Sequence, residues 1–594
     1  MENSPNGQSN KWLIIFLIYA DFTTNEKLPM IDDMKTMVNS MLGDIITTPI
    51  NNQTRMFVIL NSIKYISRGG KNKIDNRAAF FKIGKEANGF GNCIERCELL
   101  DPDKLRENKH DIGVLQKVQQ LTAVLKHTEV HPDEQVFLIT WDHGSAFGIF
   151  KKGSRNHKLT IKSVRSEIDQ NLSQFPFIKL FWDRINEKDQ KGFLRKDLGE
   201  NSYTTIQLGH SLVKAKNTAN NQKWLQYHEN KKSEFVYNAK IAQIKLIDEN
   251  KKATNVKPDV DLENILKNVT RVRTLKVEPR AAEILKNREL AQCLEGWLDT
   301  KKVAVLLMSN CSMMNLHTMY ALKDQVECLV APQGSIDIPG YNLKDIFTAI
   351  TNSTGEIIKS TELAIKCVES IENSYSKAKA LILDRSEPGV IERYKIFAVD
   401  LSRKIDGNSC LENQINLFKS LCGKLFSLLR DPTAQQDLKY FFKYIRSVCF
   451  DFSEGLYQMI DIVNWLESVK EANFLLGDQM ILSLPSLPVA TAITEFLDSV
   501  SAKNKNLNNI VLKSSGGEKA YTIENSTTPW PAIGLLPTGY SIFFPIIYRS
   551  VIDPDLINLK DSISDDPLLT ELESWRDFLG EIDPNLKNFF VELS

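Results

Sequence analysis

Two stretches of sequence decide the fold: residues 135–144, which read QVFLITWDHG, and residues 303–311, which read VAVLLMSNC. In each stretch a continuous apolar run of strand length ends at a cluster of polar residues. The first cluster contains the imidazole of His143, and the second contains the thiol of Cys311. Continuous apolar runs are typical of strands that are buried on both faces of a sheet. An imidazole and a thiol are the pair that a cysteine nucleophile requires.

The sequence around both stretches alternates apolar strands with amphipathic helices. This alternation predicts an α/β domain, in which a parallel sheet is covered by helices on both faces. In such sheets sites form where the strands end at their carboxyl edge, so His143 and Cys311 are both expected there. The predicted strands are 12–20, 55–60, 135–140, 303–308 and 327–331, and the predicted helices are 28–42, 114–125, 282–297 and 312–324.

These patterns divide the chain into five segments. A stretch rich in Lys and Asn interrupts the α/β pattern, and its exposed parts are candidate sites of proteolytic nicking. The last part of the chain is mostly helical, with short strands near 509–513 and 540–546. The predicted segments are a disordered N-terminus (1–11), two parts of one α/β domain (12–151 and 278–344), an insertion between them (152–277) and a mainly helical C-terminal domain (345–594).

Composition argues against several classes of function. Lys and Arg together number 74, as do Asp and Glu, so no net charge draws the 594-residue chain to nucleic acid or anionic lipid. No segment reaches the ~18 uninterrupted apolar residues of a membrane span. Residues 12–20 lack the cationic start of a secretory signal, which favours a buried strand over a signal peptide. The nine cysteines, an odd number, indicate a reducing, cytoplasmic location rather than a disulfide framework.

Few other residues suggest a cofactor or metal site. Neither a phosphate loop nor the glycine pattern of dinucleotide-binding domains is present, and Cys93 with Cys97 lacks the second pair of a zinc site. Asp21 and Asp142 lie at the expected sheet edge, where they are candidates for orienting a substrate or binding a cation. The other seven histidines are expected at the surface: His110, His127, His131, His157, His210, His228 and His317.

The thiol and the imidazole have complementary roles in peptide hydrolysis. A thiol attacks a carbonyl carbon as the thiolate, and an unperturbed cysteine with a pKa of ~8.5 is mostly protonated at neutral pH. A neighbouring imidazole removes that proton and later protonates the leaving amine. The oxyanion that develops requires donors, for which the backbone N–H groups of Gly144 and Cys311 are candidates. The alternative reading is that His143 caps a strand and Cys311 is a small buried hydrophobe.

Several further motifs point to one family. They occur in the order of the chain and in the same strand contexts, and they cover nearly the whole sequence except the insertion. They resemble the clostripain family of cysteine peptidases, relatives of caspases, gingipains and legumain. The motifs are Trp141-Asp142-His143-Gly144, Ser309-Asn310-Cys311-Ser312-Met313, YALKDQVECLVAPQ at 320–333, GYSIFFP at 539–545, and Trp575 with Phe578.

The resemblance implies a caspase-like α/β sandwich and a catalytic dyad of Cys311 and His143. It also implies that Ser309, Asn310, Asp142 and Gln333 contact the substrate. Clostripain-like enzymes have an acidic residue two positions before the nucleophile, whereas this chain has the neutral Ser309. Cleavage is therefore not expected to favour Arg or Lys, because a buried guanidinium without a carboxylate partner is costly. Calcium is a cofactor that the resemblance leaves open, although no ligand loop is identified.

From the sequence we therefore expect a regulated cytoplasmic cysteine endopeptidase that acts on a protein substrate. The insertion, which follows the His143 loop, is expected to control access to the site. Family analogy suggests a role in bacterial defence or programmed cell death, with a pore-forming or toxin-like protein as substrate. Neither a nucleic-acid partner nor a membrane span is expected. Two alternatives stay open: a catalytically inactive caspase-like scaffold or adaptor, and a protein-binding module whose helical half is the active part.

Overall fold

The computed structural model describes parts of the chain between residues 11 and 591. Most of the insertion, the predicted disordered N-terminus and most of the predicted helix 28–42 lie outside the described residues. The described residues are 11–21, 41, 44–45, 48, 50–68, 71–85, 92–100, 115, 117–150, 159–161, 195–196, 203–208, 211–215, 236–237, 273–275, 284–334, 336, 340–352, 357–382, 395–430, 438–439, 442, 446, 459–476, 487–501, 509–516, 537–545 and 563–591.

Strands dominate the first half of the chain and helices the second. The strands are β1 Lys11–Asp21, β2 Thr54–Arg68, β3 Lys71–Lys85, β4 Asn92–Leu100, β5 Glu134–Trp141, β6 Gly148–Ile149, β7 Leu159–Ile161, β8 Arg195–Lys196, β9 Tyr203–Leu208, β10 Ser211–Ala215, β11 Val236–Tyr237, β12 Arg273–Leu275, β13 Leu285–Lys286, β14 Val303–Ser309, β15 Val326–Pro332, β16 Lys395–Asp400, β17 Lys404–Ile405, β18 Asn408–Ser409, β19 Met459–Asp461, β20 Val511–Gly516 and β21 Ser541–Phe543. The helices are α1 Val118–Lys126, α2 Asn287–Leu298, α3 Leu316–Leu322, α4 Leu343–Thr351, α5 Ser360–Ile382, α6 Cys410–Leu429, α7 Ile462–Leu476, α8 Leu487–Val500, α9 Pro567–Glu571, α10 Glu573–Ile582 and α11 Pro584–Val591.

The chain forms two compact units, whose bounds differ from those of the predicted segments. Unit 1 comprises residues 1–156, 281–411 and 510–515, and unit 2 comprises the remainder. The predicted α/β domain ended at 344, whereas unit 1 continues to Leu411. The physical reason is that α5 and β16 belong to the first domain: β16 pairs with β15, and α5 packs on the sheet.

Unit 1 is built on a nine-stranded sheet with the order β20-β16-β15-β14-β5-β1-β2-β3-β4. The five strands from β15 to β2 in this order are parallel. The predicted α/β class with a mainly parallel sheet is thus confirmed. The structure adds what apolar runs did not reveal: β3 and β4 extend the sheet as antiparallel strands beyond β2, and β16 runs antiparallel to β15 at the other end.

Both faces of the sheet are buried, as the continuous apolar runs predict. Along β1, Trp12, Ile14, Phe16 and Ile18 point to one face, where they share a core with α4 and α5. The alternate residues Leu13, Ile15 and Leu17 point to the opposite face and are completely buried as well. Helices α1, α2 and α3 carry further buried apolar residues, among them Leu121, Leu290 and Met319.

Unit 2 is mainly helical, in agreement with the predicted C-terminal domain. Its core contains a cluster of aromatic rings with centroid separations of 5.0–6.4 Å, a range typical of edge-to-face packing. The indole N–H of Trp575 donates to the backbone oxygen of Phe543 at 3.1 Å, and its ring lies 5.0 Å from that of Phe544. Two of the segments that carry the family resemblance, 539–545 and 575–578, are therefore in direct contact.

Candidate active site

The two strands that carry the motifs are neighbours, although more than 160 residues separate them in sequence. Strand β5 pairs in parallel with β14, and Trp141 lies opposite Ser309 in the register. The strands therefore end together at the carboxyl edge. His143 and Cys311 each follow the last pair by two residues, and both are partly exposed. The structure thus brings the two predicted loops to the same edge of the sheet.

The backbones of the two loops touch at Gly144. A Cβ atom built on Gly144 would lie 2.1 Å from the backbone oxygen of Cys311 and 2.9 Å from its backbone nitrogen. Real Cβ contacts essentially never fall below 3.0 Å, so only glycine fits here without displacement of the chain. The residue after the imidazole therefore lies against the backbone of the residue that carries the thiol.

The His143 loop returns immediately to the body of unit 1. Gly144 forms an antiparallel bridge with Ile149, and the N–H of Ser145 donates to the oxygen of Gly148 at 2.9 Å. Ala146 has a φ of +60° and is completely buried. A non-glycine residue in this conformation persists where its surroundings over-determine it, which is common at functional sites.

The Cys311 loop is held on its other side by the segment that follows β15. The N–H of Ser312 donates to the oxygen of Gly334 at 2.8 Å, and the N–H of Met314 donates to the oxygen of Pro332 at 2.8 Å. Ser312 itself has a φ of +61°. The thiol has a backbone donor as well, because the N–H of Ile336 points to Sγ of Cys311 at 3.4 Å. A donor in this position favours the charged, thiolate form.

Cys311 differs from the other described cysteines in exposure. Cys293, Cys328, Cys367 and Cys422 are buried, and burial raises the pKa of each of these thiols, that of Cys293 to about 12. Cys410 is buried too, and burial likewise raises its pKa. Among these six free thiols Cys311 alone is partly exposed. Since reactivity requires access and thiolate character, Cys311 is the best placed of these six cysteines to react.

The predicted substrate-binding residues occupy different kinds of position. Ser309 is partly exposed at the end of β14, two residues before Cys311. Asp142, Gln333 and Asn310 are buried, with exposed fractions of 8%, 1% and 0%. The amide of Asn310 is hydrogen-bonded within unit 1, which favours a positioning role over direct contact with a substrate.

One histidine differs from its predicted position. His317 was expected at the surface, but it is completely buried on α3, where its ring packs against Phe147 at 5.0 Å. The prediction was wrong because the helix that follows the nucleophile faces the His143 loop, which the sequence alone did not show. His127 and His131 are exposed as predicted. The remaining four of the seven lie outside the described residues.

The described residues also bear on two other features, a metal-ion site and a membrane-spanning helix. Within them no three His, Cys, Asp or Glu side chains are grouped in a way that could hold a metal ion. A search of the described helices finds none with the length and apolar character that crossing a bilayer demands.

Known proteins were compared with the sequence and with the fold. No protein-family model matches the chain, and no curated protein does. Among solved structures, the chain is similar to iotapain, a secreted C11 cysteine protease from Bacteroides thetaiotaomicron, with 10% identity, a TM-score of 0.42 and coverage of 95% of this chain and 99% of that one. It is similar to an inactive zymogen C11 protease from Parabacteroides distasonis, with 10% identity, a TM-score of 0.40 and coverage of 95% and 99%.

A third similar structure is a clostripain from Bacteroides thetaiotaomicron bound to a peptide inhibitor, with 14% identity and a TM-score of 0.28. The match covers 49% of this chain and 94% of that one. All three are C11, or clostripain-family, cysteine proteases, which is the family that the motifs resemble.

Proposed function

We propose that this protein is a cysteine endopeptidase with Cys311 as nucleophile and His143 as general acid and base. The observation that supports this proposal is the contact between the two loops, in which Gly144 lies against the backbone of Cys311. Gly144 directly follows His143 in sequence, so this contact supports a dyad at a sheet edge where α/β proteins bind ligands.

The proposed reaction proceeds through a thioester. Sγ of Cys311 attacks the carbonyl carbon of the scissile peptide after His143 has taken the thiol proton. The carbon–nitrogen bond then breaks, and the imidazolium gives its proton to the leaving amine. Water attacks the thioester with His143 as the base, which releases the carboxylic acid and restores the thiol.

Backbone donors would stabilise the tetrahedral intermediates. The N–H groups of Gly144 and Cys311 are the proposed donors, since these two backbones already touch. Each such donor is worth roughly 100-fold or more in rate. Ser309, partly exposed two residues before the nucleophile, is proposed to line the pocket for the residue before the scissile bond. A neutral hydroxyl in that place disfavours Arg and Lys.

Regulation, partner and location belong to the same proposal. The insertion 152–277 begins directly after the His143 loop, so we propose that it controls access to the dyad until a signal releases it. Deletion of the insertion should then change basal activity or its activation, and unchanged values would contradict this control. Family analogy suggests a pore-forming or toxin-like protein substrate and a role in defence or cell death, and the odd number of cysteines supports the proposed cytoplasmic location.

The test of the peptidase proposal is covalent labelling of the full chain. A peptidyl acyloxymethyl ketone should add once per chain, at Cys311, as read by intact mass and peptide mapping. Cys311→Ala should abolish the addition, and His143→Ala should slow it strongly while thermal unfolding stays unchanged. Cys293→Ala is the matched control, because it removes a buried thiol and should leave labelling intact.

A catalytically inactive scaffold is the competing function. The lack of an acidic residue at 309 is the observation that favours it, because the family pattern departs there. Under this alternative the chain would stay unlabelled, or label at several thiols without dependence on His143, and would hydrolyse no peptide in a mixed fluorogenic set.

A further inference from the structure

Two asparagines flank the nucleophile, and each connects the Cys311 loop to the His143 loop. Asn310 precedes Cys311 and is completely buried. Its Nδ2 donates to the backbone oxygen of Asp142 at 3.0 Å and lies 3.5 Å from that of His143. Its Oδ1 accepts a hydrogen bond from Oγ1 of Thr140 at 2.6 Å. The Asn310 side chain therefore joins the tip of β14 to the last residues of β5.

Asn315 makes the equivalent connection on the other side of the nucleophile. It is completely buried, and its Nδ2 donates to the oxygen of Ser312 at 2.8 Å and to the oxygen of Ala146 at 3.0 Å. Its Oδ1 accepts from the N–H of Thr318 and so caps α3. One amide thus holds the nucleophile loop, the helix after it and the His143 loop together.

The chemistry of the amide suits this task. An amide has two N–H donors and an acceptor oxygen, so one buried side chain can satisfy carbonyls of two different loops. The hydroxyl of Thr140 orients the Asn310 amide, because it donates to Oδ1 and leaves Nδ2 toward the oxygens of residues 142 and 143. A carboxylate in place of this amide would set oxygen against oxygen and separate the loops.

We propose that Asn310 and Asn315 are positioning residues that hold the imidazole of His143 in register with the thiol of Cys311. This inference rests on the proposed dyad. It holds that side-chain amides, and not strand pairing alone, fix the position of the His143 loop relative to the Cys311 loop. Asn310 is the more direct of the two, since its amide reaches the backbone of His143 itself.

The test measures the dyad without a peptide substrate. The rate of alkylation of Cys311 by iodoacetamide is followed by peptide mass spectrometry in the full chain at pH 6 and pH 9. A thiol with the ordinary pKa of ~8.5 reacts about 200-fold more slowly at pH 6 than at pH 9, whereas a dyad keeps its thiolate and shows a much smaller ratio.

For the native chain we expect Cys311 to be alkylated less than about 10-fold faster at pH 9 than at pH 6. In Asn310→Asp this ratio of the two rates should increase by roughly 10-fold or more. Thr140→Val keeps the volume of the side chain and removes only the orienting hydroxyl, so it should increase the ratio by a smaller factor. If Asn310→Asp does not fold, Thr140→Val serves as the test in its place. Asn92→Asp is the matched control: Asn92 is buried, donates to the oxygens of Ile45 and Thr48 and accepts from Ile50, away from the dyad. It should lower the unfolding midpoint without changing the ratio.

The outcomes separate the inference from the proposed function. A native chain that already shows the ratio of an ordinary thiol overturns the proposed dyad, and the inference with it. A small native ratio that stays the same in Asn310→Asp and Thr140→Val overturns the inference alone. An equal increase in Asn92→Asp would also overturn it, because the effect would then reflect loss of stability.

Discussion

The contact between Gly144 and Cys311 allows a sharp prediction for the substitution Gly144→Ala. The added Cβ would lie 2.1 Å from the backbone oxygen of Cys311, and the closest approach seen for real Cβ atoms is about 3.0 Å. The two backbones must therefore separate by 3.0 − 2.1 = 0.9 Å at least. Because a misplacement of ~1 Å costs about 100-fold in rate, we expect the second-order rate constant of labelling by a peptidyl acyloxymethyl ketone to fall by roughly that factor.

Two glycines serve as controls for this experiment. Gly423, in helix α6, has no atom within 4 Å of a built Cβ, so Gly423→Ala should keep full labelling and stabilise the helix by ~0.5–1 kcal/mol. Gly148 would meet the oxygen of Leu285 at 2.3 Å, an overlap similar to that at Gly144 but with β13 and not with the Cys311 loop. Gly148→Ala should therefore lower thermal stability more than it lowers the labelling rate.

The reasoning is refuted if Gly144→Ala labels within about three-fold of the native rate, since a shift of ~1 Å is incompatible with so small a loss. It is refuted equally if Gly144→Ala and Gly148→Ala lose labelling in proportion to their loss of stability. In that case the glycine would serve the fold and not the register of the dyad.

Three further predictions concern the thiols and the pocket. Ile336→Pro removes the N–H that points to Sγ of Cys311, so its alkylation at pH 6 should fall by about 10-fold, whereas Ile336→Ala keeps the N–H and the native rate. Ser309→Asp should raise hydrolysis of peptides with Arg before the scissile bond relative to Leu, and an unchanged preference would remove Ser309 from the pocket. Burial raises the pKa of Cys293 to about 12, so stability present at neutral pH should be lost as the pH rises from the ordinary cysteine pKa toward 12, because only the unfolded chain releases this proton in that range. The predicted slope is ~1.4 kcal/mol per pH unit for this thiol, and urea titrations at pH 9 and 10.5 should show a smaller loss in Cys293→Ala.

Local sequence patterns were sufficient for the core strands and for the candidate dyad. The runs 136–139 and 303–308 are apolar at consecutive positions, and a strand inside a covered sheet buries every residue of such a run. Polar residues must follow where such a strand leaves the core, and His143 and Cys311 occupy those places. The class of fold and the two candidate residues could therefore be predicted without any contact between distant parts of the chain.

Local patterns did not reveal the antiparallel edges or the boundary of unit 1. Strands β3 and β4 contain many charged and polar residues, so they lack the continuous apolar runs that mark the central strands. Strand β16 reaches its place beside β15 only after two helices, and no local feature of residues 395–400 specifies that partner.

The sequence by itself determined the central strands of the sheet, the residues that follow their ends and the chemistry that those residues can perform. Only the tertiary structure decided that β5 and β14 are neighbours in a register with Trp141 opposite Ser309, that Gly144 lies against Cys311, and that His317 is buried. Apolar periodicity is a local property of the chain and reports burial. Strand pairing and the hydrogen bonds of Asn310 and Asn315 join residues about 170 positions apart, and they arise only when the whole sheet is assembled.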